Sequence, residues 1–257
     1  MVKYMKYDLV FYEAMLKTLL HKNFNFIKFS QIDDKRLNKI LLRHDVDNDV
    51  IAARVMAKTE QSLGITSTYF FMTRSPVYNV FSRHNHAAIL DILSMGHSIG
   101  LHYDQGYDEI RGLTVDDTKS QIQIDCKLLE LEFKTTIAAV SFHQPNRRVL
   151  ESEEFRLSKY INTYDKHALK RYKYFSDSNR TFDWDRVQDC VSESSDVNTC
   201  RDLQLLIHPM WWVYPNKKIE DVWNAVLENS IKYALPQLRE TERTFHLINN
   251  NKEMHGD

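Results

Sequence analysis

The sequence predicts an α/β fold assembled from parallel β/α units. Two observations predict it. Short runs rich in β-branched and aromatic residues alternate with longer runs of helical periodicity, the order that builds parallel sheets. The chain's unusual polar residues, Asp45, Asp47, His102, His143 and His208, fall where those short runs stop. Parallel sheets and barrels carry their chemistry at the C-terminal ends of the strands.

The elements follow in order. Residues 8–21 read as an amphipathic helix with Leu9, Tyr12, Leu16 and Leu20 on one stripe. A polar connection leads to a strand over 39–46. Residues 50–63 read as a helix closed by Gly64, and Thr66 to Met72 as the next strand. A helix over 84–95 is closed by Gly96, and His97 to Tyr103 forms the third strand. Thr114 to Phe133 reads as a long helix with Asp116 and Asp117 at its positive end. Ile137 to Phe142 is the fourth strand. The pattern blurs over 144–202, then resumes with a strand at Leu203 to Ile207 and a helix over 218–234. The polar tail from Asn249 to Asp257 is expected to fray. With no internal repeat or low-complexity linker, residues 1–257 read as one domain.

Composition narrows the function. A content of 43% hydrophobic and 27% charged residues is that of a globular chain with a real core. A net charge of −1 gives no electrostatic case for nucleic acid or an anionic membrane. Glu13 and Lys17 interrupt the apolar run from Leu9 to Leu20, so neither a signal peptide nor a membrane span is expected. Cys126, Cys190 and Cys200 are widely spaced and odd in number, which suggests a reducing, cytoplasmic setting.

The densest chemical signal is His44-Asp45-Val46-Asp47. Residues i and i+2 of a strand share a face, so Asp45 and Asp47 aim together and their like charges conflict. A cation resolves that conflict, after which one carboxylate can bind it and the other act as a base. The alternative is a strand end running into an Asp/Asn turn, since Asn48 and Asp49 follow.

Five segments, in order, resemble the motif series of the polysaccharide deacetylases, carbohydrate esterase family four. They are Arg43-His44-Asp45-Val46-Asp47, Gly64 to Phe71, Gly96 to His102, Ser141-Phe142-His143-Gln144-Pro145 and Leu206-Ile207-His208-Pro209. The resemblance covers roughly residues 39–212. It implies a distorted, incomplete (β/α) barrel of about seven parallel strands and a metal-dependent amide hydrolase, with zinc as the expected divalent metal. It further implies Asp45 as the base, Asp47 and His102 as metal ligands, and His208 as the general acid.

One departure stands out. Where the family supplies a second metal histidine, four residues after the first, this chain has Gly106. Catalytic zinc ordinarily has three protein ligands. His143, ending the neighbouring strand in the slot of the family's motif arginine, is the expected replacement, with Asp104 the second choice on the face of His102. His97, five residues before His102, points to the opposite strand face and reads as structural. Asp177 lies where the family tunes its acid histidine, and reads equally as part of a turn. Arg147 and Arg148 would grip an anionic substrate group or hold Asp45 ionised, or form a solvated pair. Trp211 and Trp212 would face sugar rings or pack the core. His44 would face away from Asp45, and His84 and His86 would sit at the surface.

The expected activity is removal of an N-acyl, usually N-acetyl, group from a sugar or a nucleotide- or lipid-linked sugar precursor in surface-polysaccharide synthesis. The alternatives are a non-catalytic carbohydrate-binding protein on the same barrel and an amidohydrolase of a small non-sugar amide.

Overall fold

A computed structural model describes residues 6–151, 153–193, 202–214 and 218–245. Its centre is a curled, incomplete α/β barrel. The parallel strands are β1 (Asn25–Ile27), β2 (Lys39–Val46), β3 (Thr68–Phe71), β4 (Ser98–Asp104), β5 (Ala139–His143), β6 (Ile161–Asn162), β7 (Tyr172–Ser176) and β8 (Asp202–Ile207). Seven of them run in the order β6-β5-β4-β3-β2-β8-β7, and β1 pairs with the first residues of β2, ahead of the stretch that pairs with β3. Around the sheet lie α1 (Leu9–His21), α2 (Val50–Ser62), α3 (Arg83–Ser94), α4 (Gly106–Arg111), α5 (Val115–Phe133), α6 (Arg147–Glu151), α7 (Trp184–Glu193), α8 (Pro209–Val213) and α9 (Ile219–Thr241).

The pleat of β2 divides its side chains. Ile40 and Leu42 pack outward with α1 and α8 around the fully buried Trp212. Leu41 joins Ile27, Phe29, Phe70 and Ala139 inside the curl, and Arg43 and Asp45 continue that inner row. Every residue of β2 is buried, as expected of a strand covered on both faces. Inner space is tight at Gly100. A Cβ there would lie 2.4 Å from the Phe70 ring and 2.9 Å from the Ala139 carbonyl oxygen. Glycine at position 100 lets the Phe70 ring lie close against β4.

The predicted helices and strands through residue 142 are present, with ends shifted by a residue or two. The final helix runs to Thr241 rather than 234. The sequence pattern missed β1, too short to show alternation, and the short elements α4, α8 and those from α6 to α7. Within that blurred stretch β7 pairs with β8 and closes one edge of the sheet. Cys200 and the 249–257 tail lie outside the described residues. Among the described residues no helix is long and apolar enough to cross a membrane.

Candidate metal and hydrolytic site

The inner rows of β2, β4, β5 and β8 converge at their C-terminal ends on a cleft of about 640 Å³. Asp47 lies just past β2, and its Oδ1 is 2.9 Å from His102 Nε2 and 3.3 Å from His143 Nδ1. One donor atom from each of these three residues lies within 4.8 Å of the others. The two imidazole rings stand nearly perpendicular, at 84°.

His102 sits opposite Ser141 in the β4–β5 register. Its Nδ1 is 3.1 Å from Ser141 Oγ, which in turn donates to Asp45 Oδ2 over 2.9 Å. A hydroxyl has one proton, so with that proton on Asp45 it accepts from His102 Nδ1–H. This leaves Nε2 as the nitrogen that faces Asp47 Oδ1, and the one that would offer its lone pair to a bound cation, as second-shell bonds orient metal-binding histidines. Burial alone would raise the Asp47 carboxyl, but hydrogen bonds from His102 and His143 hold it well below the usual carboxylate range. Two imidazoles and one carboxylate form a donor set suited to zinc. The residues therefore fit the metal that the sequence implies.

Asp45 is gripped by Arg43. The guanidinium Nε donates to Oδ1 over 2.9 Å and Nη2 to Oδ2 over 2.7 Å, with both side chains buried. Nη2 also lies 2.6 Å from Ser141 Oγ and 2.9 Å from the Tyr164 hydroxyl. Burial pushes the Asp45 carboxyl up, but Arg43, His102 and His208 together outweigh it, leaving the group at about 2. Asp45 is thus ionised throughout the neutral range.

Across the cleft, His208 follows β8. Its Nδ1 is 2.5 Å from Asp177 Oδ1, and both Asp177 oxygens accept its backbone N–H at 3.0 Å. Trp212 Nε1 donates to Asp177 Oδ2 over 2.7 Å. The imidazole is fixed with Nε2 toward the cleft, 3.8 Å from Asp47 Oδ2. Burial would lower the His208 pKa, but the carboxylates of Asp177, Asp47 and Asp45 together raise it to about 9.

Sequence-predicted residues divide clearly. Asp45, Asp47, His102, His143 and His208 meet in the cleft, Asp177 holds His208, and Trp211 lines one wall edge-to-face with Trp223 of α9. Asp104 stays out of the cluster and accepts the Gly106 N–H at 2.9 Å. Arg147 is exposed on α6 and does not line the cleft; Arg43 grips Asp45 instead. Arg148 pairs with Glu154 at 2.9 Å. Trp212 packs in the core. His97 is buried, with Nε2 3.0 Å from the Ala57 carbonyl oxygen. His84 stacks on Tyr233, and His86 Nε2 reaches Glu132 at 3.1 Å.

Sequence reasoning assigned no role to Arg43, Ser141, Tyr164 or Trp223. The first two carried a signal, because each lies two residues before a site residue on a strand and shares its face. Tyr164 and Trp223 carried none, since the chain folds them in from a loop and a distant helix.

No family model and no curated protein matches the chain. Solved structures to which it is similar include the peptidoglycan deacetylase PdaC from Bacillus subtilis, at 12% identity over 82% of this chain and 96% of that one, with a TM-score of 0.42. The Streptococcus pyogenes deacetylase PplD is 11% identical over 84% and 85% of the two chains, with a TM-score of 0.44. A CE4 family pseudoenzyme from Bacillus anthracis is 12% identical over 77% and 60%, with a TM-score of 0.36. Likenesses this distant include both deacetylases and a pseudoenzyme, and they assign nothing to the site.

Proposed function

We propose that the chain is a metal-dependent deacylase that removes an N-acyl group from a neutral amino sugar. The carrying observation is the convergence of Asp47, His102 and His143 beside an ionised Asp45 and facing a protonated His208. This is the donor, base and acid set needed to hydrolyse an amide.

Asp47, His102 and His143 would hold the cation, which when bound supplies carbonyl polarisation and an acidified water. Asp45 takes the proton of the attacking water. At a pKa of about 2 it is a weak base, so its work depends on that acidification. Arg43 fixes the direction in which the carboxylate faces. His208, charged below pH 9 through Asp177, delivers a proton from Nε2 to the departing nitrogen. Without it the amine would leave as a strongly basic anion.

Pro76, Val77, Leu206, Met210, Trp211 and Trp223 give the cleft apolar and aromatic walls, and no Lys or Arg is among the described residues that line it. This lining suits a neutral acylated sugar better than a nucleotide-linked one. A role in surface-polysaccharide synthesis inside the cell accords with the buried thiol of Cys126.

The test is acetate release from N-acetylated oligosaccharides by protein stripped of metal and reloaded with zinc. Turnover restored on reloading, and absent in Asp45→Asn, is expected. Its absence in the reloaded wild type across neutral and charged N-acetyl sugars would contradict the reading.

A further inference from the structure

Hydrogen bonds leave the Asp45 carboxylate one open acceptor position. A carboxylate offers about four lone-pair sites. Oδ2 accepts from Arg43 Nη2 and from Ser141 Oγ, and Oδ1 accepts from Arg43 Nε. No other hydrogen bond reaches this side chain among the described residues, so the open site is on Oδ1. That is where the carboxylate can take a proton from a water.

Which site stays open depends on how Arg43 sits, and its guanidinium is tied at one end. Nε and Nη2 grip Asp45, while Nη1 is buried without a hydrogen-bond partner among the described residues. Two rings pack against the group, with Cζ 4.7 Å from the centroid of Tyr164 and 5.7 Å from that of Phe70. Tyr164 does more than pack, because its hydroxyl oxygen also lies 2.9 Å from Nη2. Nη2 has two N–H groups. One goes to Asp45, leaving the other to be shared by Ser141 Oγ and Tyr164 Oη. A ring face and an acceptor from one side chain thus hold the same cation.

Tyr164 stands two residues past β6, on a loop whose backbone is pinned. The Thr163 N–H donates to the Val140 carbonyl and the Tyr164 N–H to Asn162 Oδ1, each over 3.0 Å. Gln204 Nε2 donates to the Thr163 carbonyl over 3.1 Å. The ring is half-buried and lines the cleft. Burial raises its phenol above the ordinary value against the pull of Arg43. It therefore stays a neutral hydroxyl and does not compete with Asp45 as a second anion.

We propose that Tyr164 is a positioning residue for the base: it clamps the Arg43 guanidinium against Asp45 and so keeps the open acceptor site on Oδ1. Tyr164 acts through Arg43 and takes no proton itself. The proposal rests on the reading of Asp45 as the base, but the first part of its test needs no turnover.

The experiment compares wild type, Tyr164→Phe, Tyr164→Ala, Arg43→Lys and the double variant Arg43→Lys/Tyr164→Ala, with circular dichroism checking the fold. The first readout is solvent exchange of the Arg43 Nε–H, followed by heteronuclear NMR in the zinc-free full chain. Tyr164→Ala should speed exchange at least about tenfold, the scale of a lost cation–π contact together with a hydrogen bond. Tyr164→Phe, which keeps the ring, should fall between the two. Unchanged exchange in Tyr164→Ala would overturn the proposal, with or without turnover.

The second readout is acetate release by the zinc-loaded chain from the trimer of β-1,4-linked N-acetylglucosamine. Tyr164→Ala should lower kcat at least about tenfold and leave KM and zinc affinity unchanged. In the Arg43→Lys background it should cost nothing further, since residues that act through one contact are not additive. Losses that multiply would overturn the proposal, because Tyr164 would then act independently of Arg43. Should Arg43→Lys fail to fold, the exchange comparison decides alone. Faster exchange in Tyr164→Ala with no acetate release from wild type would overturn the proposed activity and leave the clamp on Arg43 standing.

Discussion

His44 and Asp45 are neighbours on β2, yet they serve two different buried polar clusters. His44 points outward, where its Nε2 lies 2.7 Å from Glu60 Oε1. That carboxylate also accepts the Tyr12 and Ser67 hydroxyls at 2.6 Å each, while His97 lies 3.6 Å away. The Glu60 side chain is fully buried, and its environment touches no cleft. Burial alone would push it up, but His44, His97 and Ser67 together bring it down to about 2. Asp45 and Asp47 point the other way into open space. Arg43 balances Asp45, but among the described residues the Asp47 side chain pairs only with imidazoles. The outer cluster balances its carboxylate as folded, although His44 Nδ1 has no hydrogen-bond partner among the described residues, and it ties α1, α2 and β2 to the residues that lead into β3 and β4. The inner one would be balanced by a cation. Burial is similar in both; what separates structural from chemical polar groups is whether the protein alone balances their charge.

The comparison breaks if the clusters exchange phenotypes. The largest effect is expected for Asp45→Asn, which should lower kcat by roughly 10²- to 10⁴-fold, the usual worth of a positioned base. Metal content, read by elemental analysis, should not change. Loss of the metal would make Asp45 a ligand.

Next comes Glu60→Ala. Removing one partner from a buried charged cluster typically costs about 3–5 kcal/mol, which urea unfolding would show. Retained zinc affinity in the folded fraction is expected. Unchanged stability would mean that the outer cluster does not brace the sheet.

The pH dependence sharpens the same contrast. Glu60 has a folded pKa of about 2, below the ordinary glutamate value of 4.5. Its contribution is therefore present above the unfolded value and is lost as pH falls from about 4.5 toward 2. Glu60→Gln should flatten the stability-against-pH curve in that window. An identical acid slope in the variant would assign acid unfolding to other carboxylates.

Much of this was legible before the structure. The parallel architecture followed from alternation, and the site from polar residues at strand ends. Asp45 and His44 were separable by the two-residue period of a strand. Glu60 was not, because a lone glutamate in an amphipathic helix looks solvated until His44 and His97 arrive from two strands. Arg147 and Arg148 were candidates to hold Asp45 ionised. The fold instead reaches Asp45 with Arg43, two residues back on the same strand, where the shared face leaves no loop to order.

The central claim is that Asp47, His102 and His143 hold one metal ion, with His143 supplying what Gly106 cannot. It is tested most directly by titrating zinc against a competing chelator in wild type, His143→Ala and Glu60→Gln. Wild type and Glu60→Gln should bind one equivalent with equal affinity. His143→Ala should bind at least roughly ten- to a hundredfold more weakly, since even partners outside the inner coordination sphere are worth that much. Equal affinity in wild type and His143→Ala, or no stoichiometric zinc in wild type, would contradict the account.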